Sequence, residues 1–378
     1  MTAPTRPVTT SVNEPTVYVA FELGKKEWKL GLTSGFGGEL MIRTLRSGDL
    51  RAVARVIGEA RRRFEVPDAA RIVSCYEAGR DGFWIHRALA TLGVHNRVVD
   101  SASIEVNRRA RRTKTDRIDA RKLVMMLVRV CTGEVGVWSE VRVPSVDVEA
   151  ARHGSRERTA LLQERTRLRN QMGSWLQTWG CEVSSRVRRT ADWWHQARDW
   201  QGSALPSTVQ ARIARAERRL AVVAEQIEVL ETAQRAALHD AVADSPMGRL
   251  ARLKGVGVTS TTVLLEEGLV WRAFRNRRQI GGLLGFAPMH FQSGEAARDQ
   301  GISRAGNARL QSVTIQLAWG WLHWQPQSAL ACWFHAHFGP RRRARRIGIV
   351  ALARKLLIAL WRYATTGLVP AGAVLKVA

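Results

Sequence analysis

Short stretches near the start of the chain are apolar or alternate apolar with polar positions; further along, the spacing becomes helical. Val17-Tyr18-Val19-Ala20-Phe21 is a β-rich run ending at Glu22 and the turn-like Leu23-Gly24-Lys25, and Trp28 to Thr33 and Glu39 to Leu45 are two more, set apart by Gly35, Gly37 and Gly38. This spacing predicts an antiparallel meander of three strands. Leu50, Val53, Val56, Ile57 and Ala60 then predict a helix with Asp49 as its N-cap. A strand from Arg71 to Tyr76, a helix from Gly82 to Leu92, a strand from Arg97 to Asp100 and a helix carrying Leu123, Val124, Leu127 and Val128 follow, alternating as β-α units do. Residues 1–14, polar and Pro-containing, are expected to be a disordered leader.

The order over residues 15–135 is βββαβαβα, that of the α/β ribonuclease-H-like (RuvC-like) fold, in which acids from the first strand, the fourth strand and a late helix converge. Glu22, Glu77, Asp116 and Asp119 occupy those places. Asp116 and Asp119, three residues apart, share a helix face at about 5 to 6 Å between Cβ atoms, close enough to share a cation. Phosphodiester cleavage commonly uses Mg²⁺ held by oxygen ligands. Glu22 and Glu77 close predicted strands, where open α/β sheets place their chemistry. Against this stands the plainer reading of Asp116 and Asp119 as acids in the first turn of a helix amid Lys114, Arg117 and Arg121.

From residue 150 to 240 the composition shifts to Arg, Glu, Gln, Leu and Ala. Leu161, Leu162, Leu168, Met172, Trp175 and Leu176 form one helical stripe, and Ile213, Ala216, Leu220, Val223, Ile227 and Leu230 form another. They predict a helical hairpin or a dimerising coiled coil, equally open as intramolecular core or oligomer seam. A mainly α C-terminal domain is expected over residues 245–365. Its Lys254-Gly255-Val256-Gly257 resembles a helix-hairpin-helix turn, with Gly255 and Gly257 offering backbone N–H groups to a phosphate; a plain turn fits as well. Ser293, before Gly294 in a helix-poor loop, is a candidate nucleophile. Ser303 is the alternative, though it reads better as the N-cap of a helix from Arg304 to Trp321.

Charge narrows the class. Fifty-nine Lys and Arg against 33 Asp and Glu leave +26, which calls for a polyanionic partner such as nucleic acid. The block of Arg341, Arg342, Arg343, Arg345 and Arg346 is read as phosphate contacts in preference to a solvated face. No stretch reaches the roughly 20 apolar residues of a membrane span, and the start lacks a signal-peptide core, so a soluble intracellular protein is expected. Cys75, Cys131, Cys181 and Cys332 form no CxxC pair, and zinc is not expected.

Five segments together resemble bacterial insertion-sequence transposases of the bridge-recombinase kind: Glu77-Ala78-Gly79, Lys114-Thr115-Asp116-Arg117-Ile118-Asp119-Ala120, Gly285-Phe286-Ala287-Pro288, Ser293-Gly294, and Gly301-Ile302-Ser303-Arg304-Ala305-Gly306-Asn307. In those proteins a RuvC-like DEDD domain precedes a coiled coil and a C-terminal domain with a catalytic serine. The resemblance implies Mg²⁺ at Glu22, Glu77, Asp116 and Asp119, and covalent attack by Ser293 on a DNA phosphate. It further implies direction by a structured bridge RNA from the element, homo-oligomers (a dimer or tetramer), and work on DNA in the bacterial cytoplasm at the nucleoid. Nucleic-acid contacts are then expected at Lys114, Arg117, Arg121, Arg304 and Asn307 as well. The family has Asp where this chain has Glu22, one methylene longer, and Mg²⁺ is strict about geometry. A Mg²⁺-dependent junction endonuclease using water, and a nucleic-acid-binding protein with a degenerate metal site, remain the alternatives.

Overall fold

A computed structural model describes residues 14–104, 116–184, 187–269, 272, 274, 276–286, 288–293, 296–302, 306–339 and 342–376. The expected leader and residues 105–115, Lys114 included, lie outside them. The chain divides into two compact units, Met1–Val143 and Pro144–Ala378.

The first unit is a five-stranded mixed sheet in the order β3-β2-β1-β4-β5. β1 (Thr16–Leu23), β2 (Glu27–Thr33) and β3 (Met41–Arg46) form the expected antiparallel meander. β4 (Arg71–Glu77) and β5 (His95–Val99) add on in parallel. Such parallel pairs need crossovers, supplied by α1 (Leu50–Arg63) and α2 (Trp84–Thr91). Asp49 caps α1 as its side chain accepts from the Ala52 N–H at 2.9 Å.

Strand alternation sorts the two faces. Val17, Val19 and Phe21 bury against Val53, Val56 and Ile57 of α1 and Ile85 and Leu89 of α2. On the opposite face Ala20, Val73 and Cys75 bury against Leu123, Val124 and Leu127 of α3 (Asp116–Cys131). With both faces covered, β1 reads as a continuous apolar run rather than a clean alternation. This unit extends past residue 135: Val141 and Val143 pack on the core, and Glu140 bridges to Val99. The mixed sheet with helices on both faces is compatible with the ribonuclease-H-like expectation.

In the second unit α4 (Val146–Gln177) and α5 (Ser207–His239) are the two long helices. They run antiparallel: Met172 and Leu176 pack with Ile213 and Ala216, while Leu161 and Leu168 pack with Val223 and Ile227. The two stripes therefore bury each other within one chain. The rest of the unit gathers α6 (Pro246–Arg252), α7 (Val258–Leu264), a π-helical turn at Leu265–Leu269, and α8 (Arg277–Leu283). A hairpin of β6 (Pro288–Ser293) and β7 (Ala296–Ile302) follows, then α9 (Ala308–Trp324), α10 (Ala329–Phe338) and α11 (Arg342–Thr366). Leu352, Leu356, Leu357 and Leu360 of α11 sit fully buried among Leu310, Leu317 and Trp321 of α9. Among the described residues no helix is long and apolar enough to cross a membrane.

Candidate active site

In the first unit the backbone brings the expected acids to one end of one face. β1 and β4 run parallel with Ala20 beside Cys75 and Phe21 beside Tyr76, so one step on Glu22 lies beside Glu77. Adjacent strands sit about 4.8 Å apart. Ala20 and Cys75 are buried against α3. Side chains alternate along a strand, so Glu22 and Glu77, two positions further, belong to that face too.

Helix α3 approaches the sheet closely because β2 offers a glycine. A Cβ on Gly31 would lie 2.8 Å from the carbonyl oxygen of Ala120. One turn on, the Cys75 thiol donates to the Leu123 carbonyl at 3.9 Å. The helix runs against β1, with Cys131 at its far end beside Tyr18. Its first turn, with Asp116 and Asp119, thus lies toward the strand ends that carry Glu22 and Glu77. The positive end of the helix dipole there favours carboxylates. Asp119 presents a buried Oδ2 with no hydrogen-bond partner. A buried carboxylate oxygen left so is costly unless something meets it. An all-oxygen donor set suits a hard divalent ion. As they stand, no three Asp, Glu, His or Cys side chains among the described residues are grouped to hold a metal ion; the side chain of Asp116 lies outside those residues. Arg121 is exposed on α3, and the side chain of Arg117 is not among those described.

In the second unit, Ser293 is the last residue of β6 and pairs with Ala296 at the tip of a two-stranded hairpin, where the sequence suggested an irregular loop. Pro288–Ser293 and Ala296–Ile302 carry only Phe291 and Ile302 as strong β-formers and no apolar alternation, so the strands left little mark on the sequence. Ser303, Arg304 and Arg341 lie outside the described residues. The expected Ser303 cap is replaced: α9 starts at Ala308 and Asn307 caps it, its Oδ1 accepting from the Leu310 N–H at 3.0 Å. Asn307 Nδ2 also donates to Glu267 at 2.8 Å. Both ends of that side chain are engaged within the protein. Arg342 starts α11, and Arg343 is exposed beside it.

The glycine turn joins α6 to α7. Gly255 adopts φ +88°, open to glycine, and a Cβ there would strike Trp324 at 2.8 Å. The end of the chain ties this turn down. The Lys254 N–H donates to the Val374 carbonyl at 3.1 Å, and Gln325 Nε2 donates to the carbonyls of Lys254 and Val374, both at 2.8 Å. Gly257 is the N-cap of α7, with open space where a Cβ would stand.

Sequence reasoning missed a buried ionic cluster. Glu267, fully buried in the π-helical turn, accepts from Arg156 at 3.0 and 3.1 Å and from Arg309 at 2.6 Å, with Arg152 at 3.4 Å. Burial alone would raise its carboxyl, but hydrogen bonds from Arg156 and Asn307 and the neighbouring guanidinium charges outweigh that and hold it at about 2. Glu266 accepts from the Ser155 hydroxyl, and burial pushes its carboxyl above the usual range. The cluster locks α4 to the π-helical turn and α9. Its one sequence signal is a pair of carboxylates inside the apolar run Leu264-Leu265-Glu266-Glu267-Gly268-Leu269.

Residues 247–331, from α6 into α10, match the family model described as Transposase IS116/IS110/IS902 family. A Sinorhizobium fredii protein named "Putative transposase y4rJ" is 37% identical over 390 residues, spanning 99% of this chain and 98% of its own length. A second protein of that organism under the same description, y4qE, is 27% identical over 71% of this chain and 62% of its own. The "Transposase for insertion sequence element IS1328" of Yersinia enterocolitica is 27% identical over 57% of this chain and 62% of its own. All three relatives carry transposase names, and a transposase acts on DNA. The chain belongs to the IS110/IS116/IS902 family of insertion-sequence transposases.

Proposed function

We propose that this transposase cuts and rejoins DNA through a covalent bond to Ser293, with Glu22, Glu77, Asp116 and Asp119 holding Mg²⁺. The observation that carries the metal half is the convergence of Glu22, Glu77 and the first turn of α3 at one end of the sheet, with the buried Asp119 Oδ2 lacking a partner. Mg²⁺, once bound, supplies charge neutralisation at a phosphate and at the departing oxygen. The Ser293 hydroxyl attacks the scissile phosphorus, a P–O bond to serine forms, and the P–O bond to one DNA oxygen breaks. The serine proton passes through solvent to that oxygen, which leaves as a hydroxyl. Reversal with a second DNA hydroxyl restores the strand, and the phosphodiester energy is kept throughout.

The family resemblance further suggests that a structured RNA from the element directs the exchange and that several copies of the chain assemble. A suicide DNA substrate tests the chemistry: the full-length protein should give a protein–DNA adduct stable to denaturant that disappears in Ser293→Ala. Strand exchange persisting in that variant would remove Ser293 as nucleophile, whereas cleavage with no adduct and no rejoining in the wild type would favour the water-using junction endonuclease. Glu22, where the resemblance expects Asp, favours a second reading, a DNA-binding transposase with a degenerate metal site. In that case Mg²⁺ gives no cleavage, and Glu22→Asp restores it.

A further inference from the structure

A groove of about 1230 Å³ lies between α8, α10 and α11 in the second unit. Among the described residues its lining includes six cations, Arg277, Arg278, Arg346, Arg354, Lys355 and Arg362, and no Asp or Glu. None of the six forms an ion pair with a carboxylate among the described residues. Between them the floor is apolar, built largely from Ile347, Val350 and Ile358 of α11. Trp333 forms part of the wall, with Lys355 Nζ 4.5 Å from its ring centroid.

Its position is informative. Phe286 and Ile302, which bracket the β6–β7 hairpin, both line this groove, so it lies at the foot of the arm that ends in Ser293. Arg354 is set into it by a glycine: a Cβ on Gly281 would come within 2.7 Å of Arg354 Nε.

A row of cations with an apolar floor distinguishes among nucleic acids. A duplex turns phosphates outward on every side, and would press them onto Ile347, Val350 and Ile358. An unpaired strand divides its chemistry as the groove does, with bases to the floor and phosphates to the rim. From Arg346 to Arg362 the helix rises about 24 Å, room for a short run of nucleotides.

We propose that this groove holds an unpaired polynucleotide strand at the foot of the Ser293 hairpin. The proposal takes up the nucleic-acid part of the function above and is independent of the serine chemistry. The test uses full-length protein at fixed salt, with binding of a fluorescent oligothymidylate and of a duplex of equal length measured by anisotropy. Lys355→Ala combined with Arg362→Ala, both at exposed positions, weakens single-strand binding by about tenfold or more and duplex binding by less than about twofold. Gly281→Ala, which changes no charge, weakens the single strand alone by displacing the Arg354 guanidinium; circular dichroism checks its fold. Single-strand affinity unchanged in both variants overturns the proposal. Equal losses on both DNAs would mark a general phosphate surface and overturn it too, as would a change in oligomeric mass with single-strand binding intact. Adduct formation is read separately, so a failed serine assignment leaves this result standing.

Discussion

Glu267 shows what a single residue costs and contributes here. Removing one partner from a buried ion cluster typically costs about 3 to 5 kcal/mol, because the remaining charges stay desolvated. Glu267→Gln is therefore expected to lower the unfolding free energy of the second unit by about 3 kcal/mol at pH 7, measured by denaturant titration. The pH dependence has a definite sign. Its folded carboxyl sits near 2 against an ordinary 4.5, so its stabilisation is fully present above that ordinary value and is lost as pH falls from there toward 2. Wild type and Glu267→Gln should accordingly converge in stability toward pH 2 to 3; a constant gap would show that the charge is not what matters. Glu266, raised by burial, acts in the opposite sense and is common to both proteins. Single residues were legible only where local chemistry is decisive. Asp49 announces its helix because a cap needs only its own neighbours. Glu267 did not, because its partners lie 111 and 42 positions away, on Arg156 and Arg309.

At the scale of elements, the close seating of α3 on the sheet depends on Gly31. Gly31→Ala sets a Cβ 2.8 Å from a backbone oxygen that has no rotamer to escape into. It should cost the first unit about 1 to 3 kcal/mol and shift the α3 acids relative to Glu22 and Glu77. A thermal midpoint equal to wild type would contradict that seating. Asn307→Ala removes both the α9 cap and a donor to Glu267, for a loss of about 2 kcal/mol. The order of strands and helices in the first unit was readable because β1, β4 and α3 each carry an unbroken apolar pattern. The β6–β7 hairpin was not, since Ala296-Ala297-Arg298-Asp299-Gln300-Gly301 has neither alternation nor β-branched residues. The cap of α9 moved from Ser303 to Asn307 because several residues near a helix start can serve, and tertiary demand from Glu267 selects one.

For the whole molecule, a formal charge of +26 on 378 residues gives a prediction that needs no site. Duplex DNA affinity should fall linearly with the logarithm of salt concentration, with a slope of about −5 or steeper if six or more phosphates are neutralised. A slope near −1 would show that most of the excess charge does not meet DNA. The charge excess made a nucleic-acid partner legible from the sequence alone. The arrangement of α4, the π-helical turn and α9 around one buried carboxylate became visible only in three dimensions. Glu22, Glu77, Asp116 and Asp119 are proposed to act together on a divalent ion. Calorimetric titration of the full-length protein with Mn²⁺ tests it most directly. Wild type is expected to bind, with Glu77→Gln and Asp119→Asn each weakening the affinity by about tenfold or more while duplex DNA affinity is retained. Equal Mn²⁺ uptake by wild type and both variants would contradict the account.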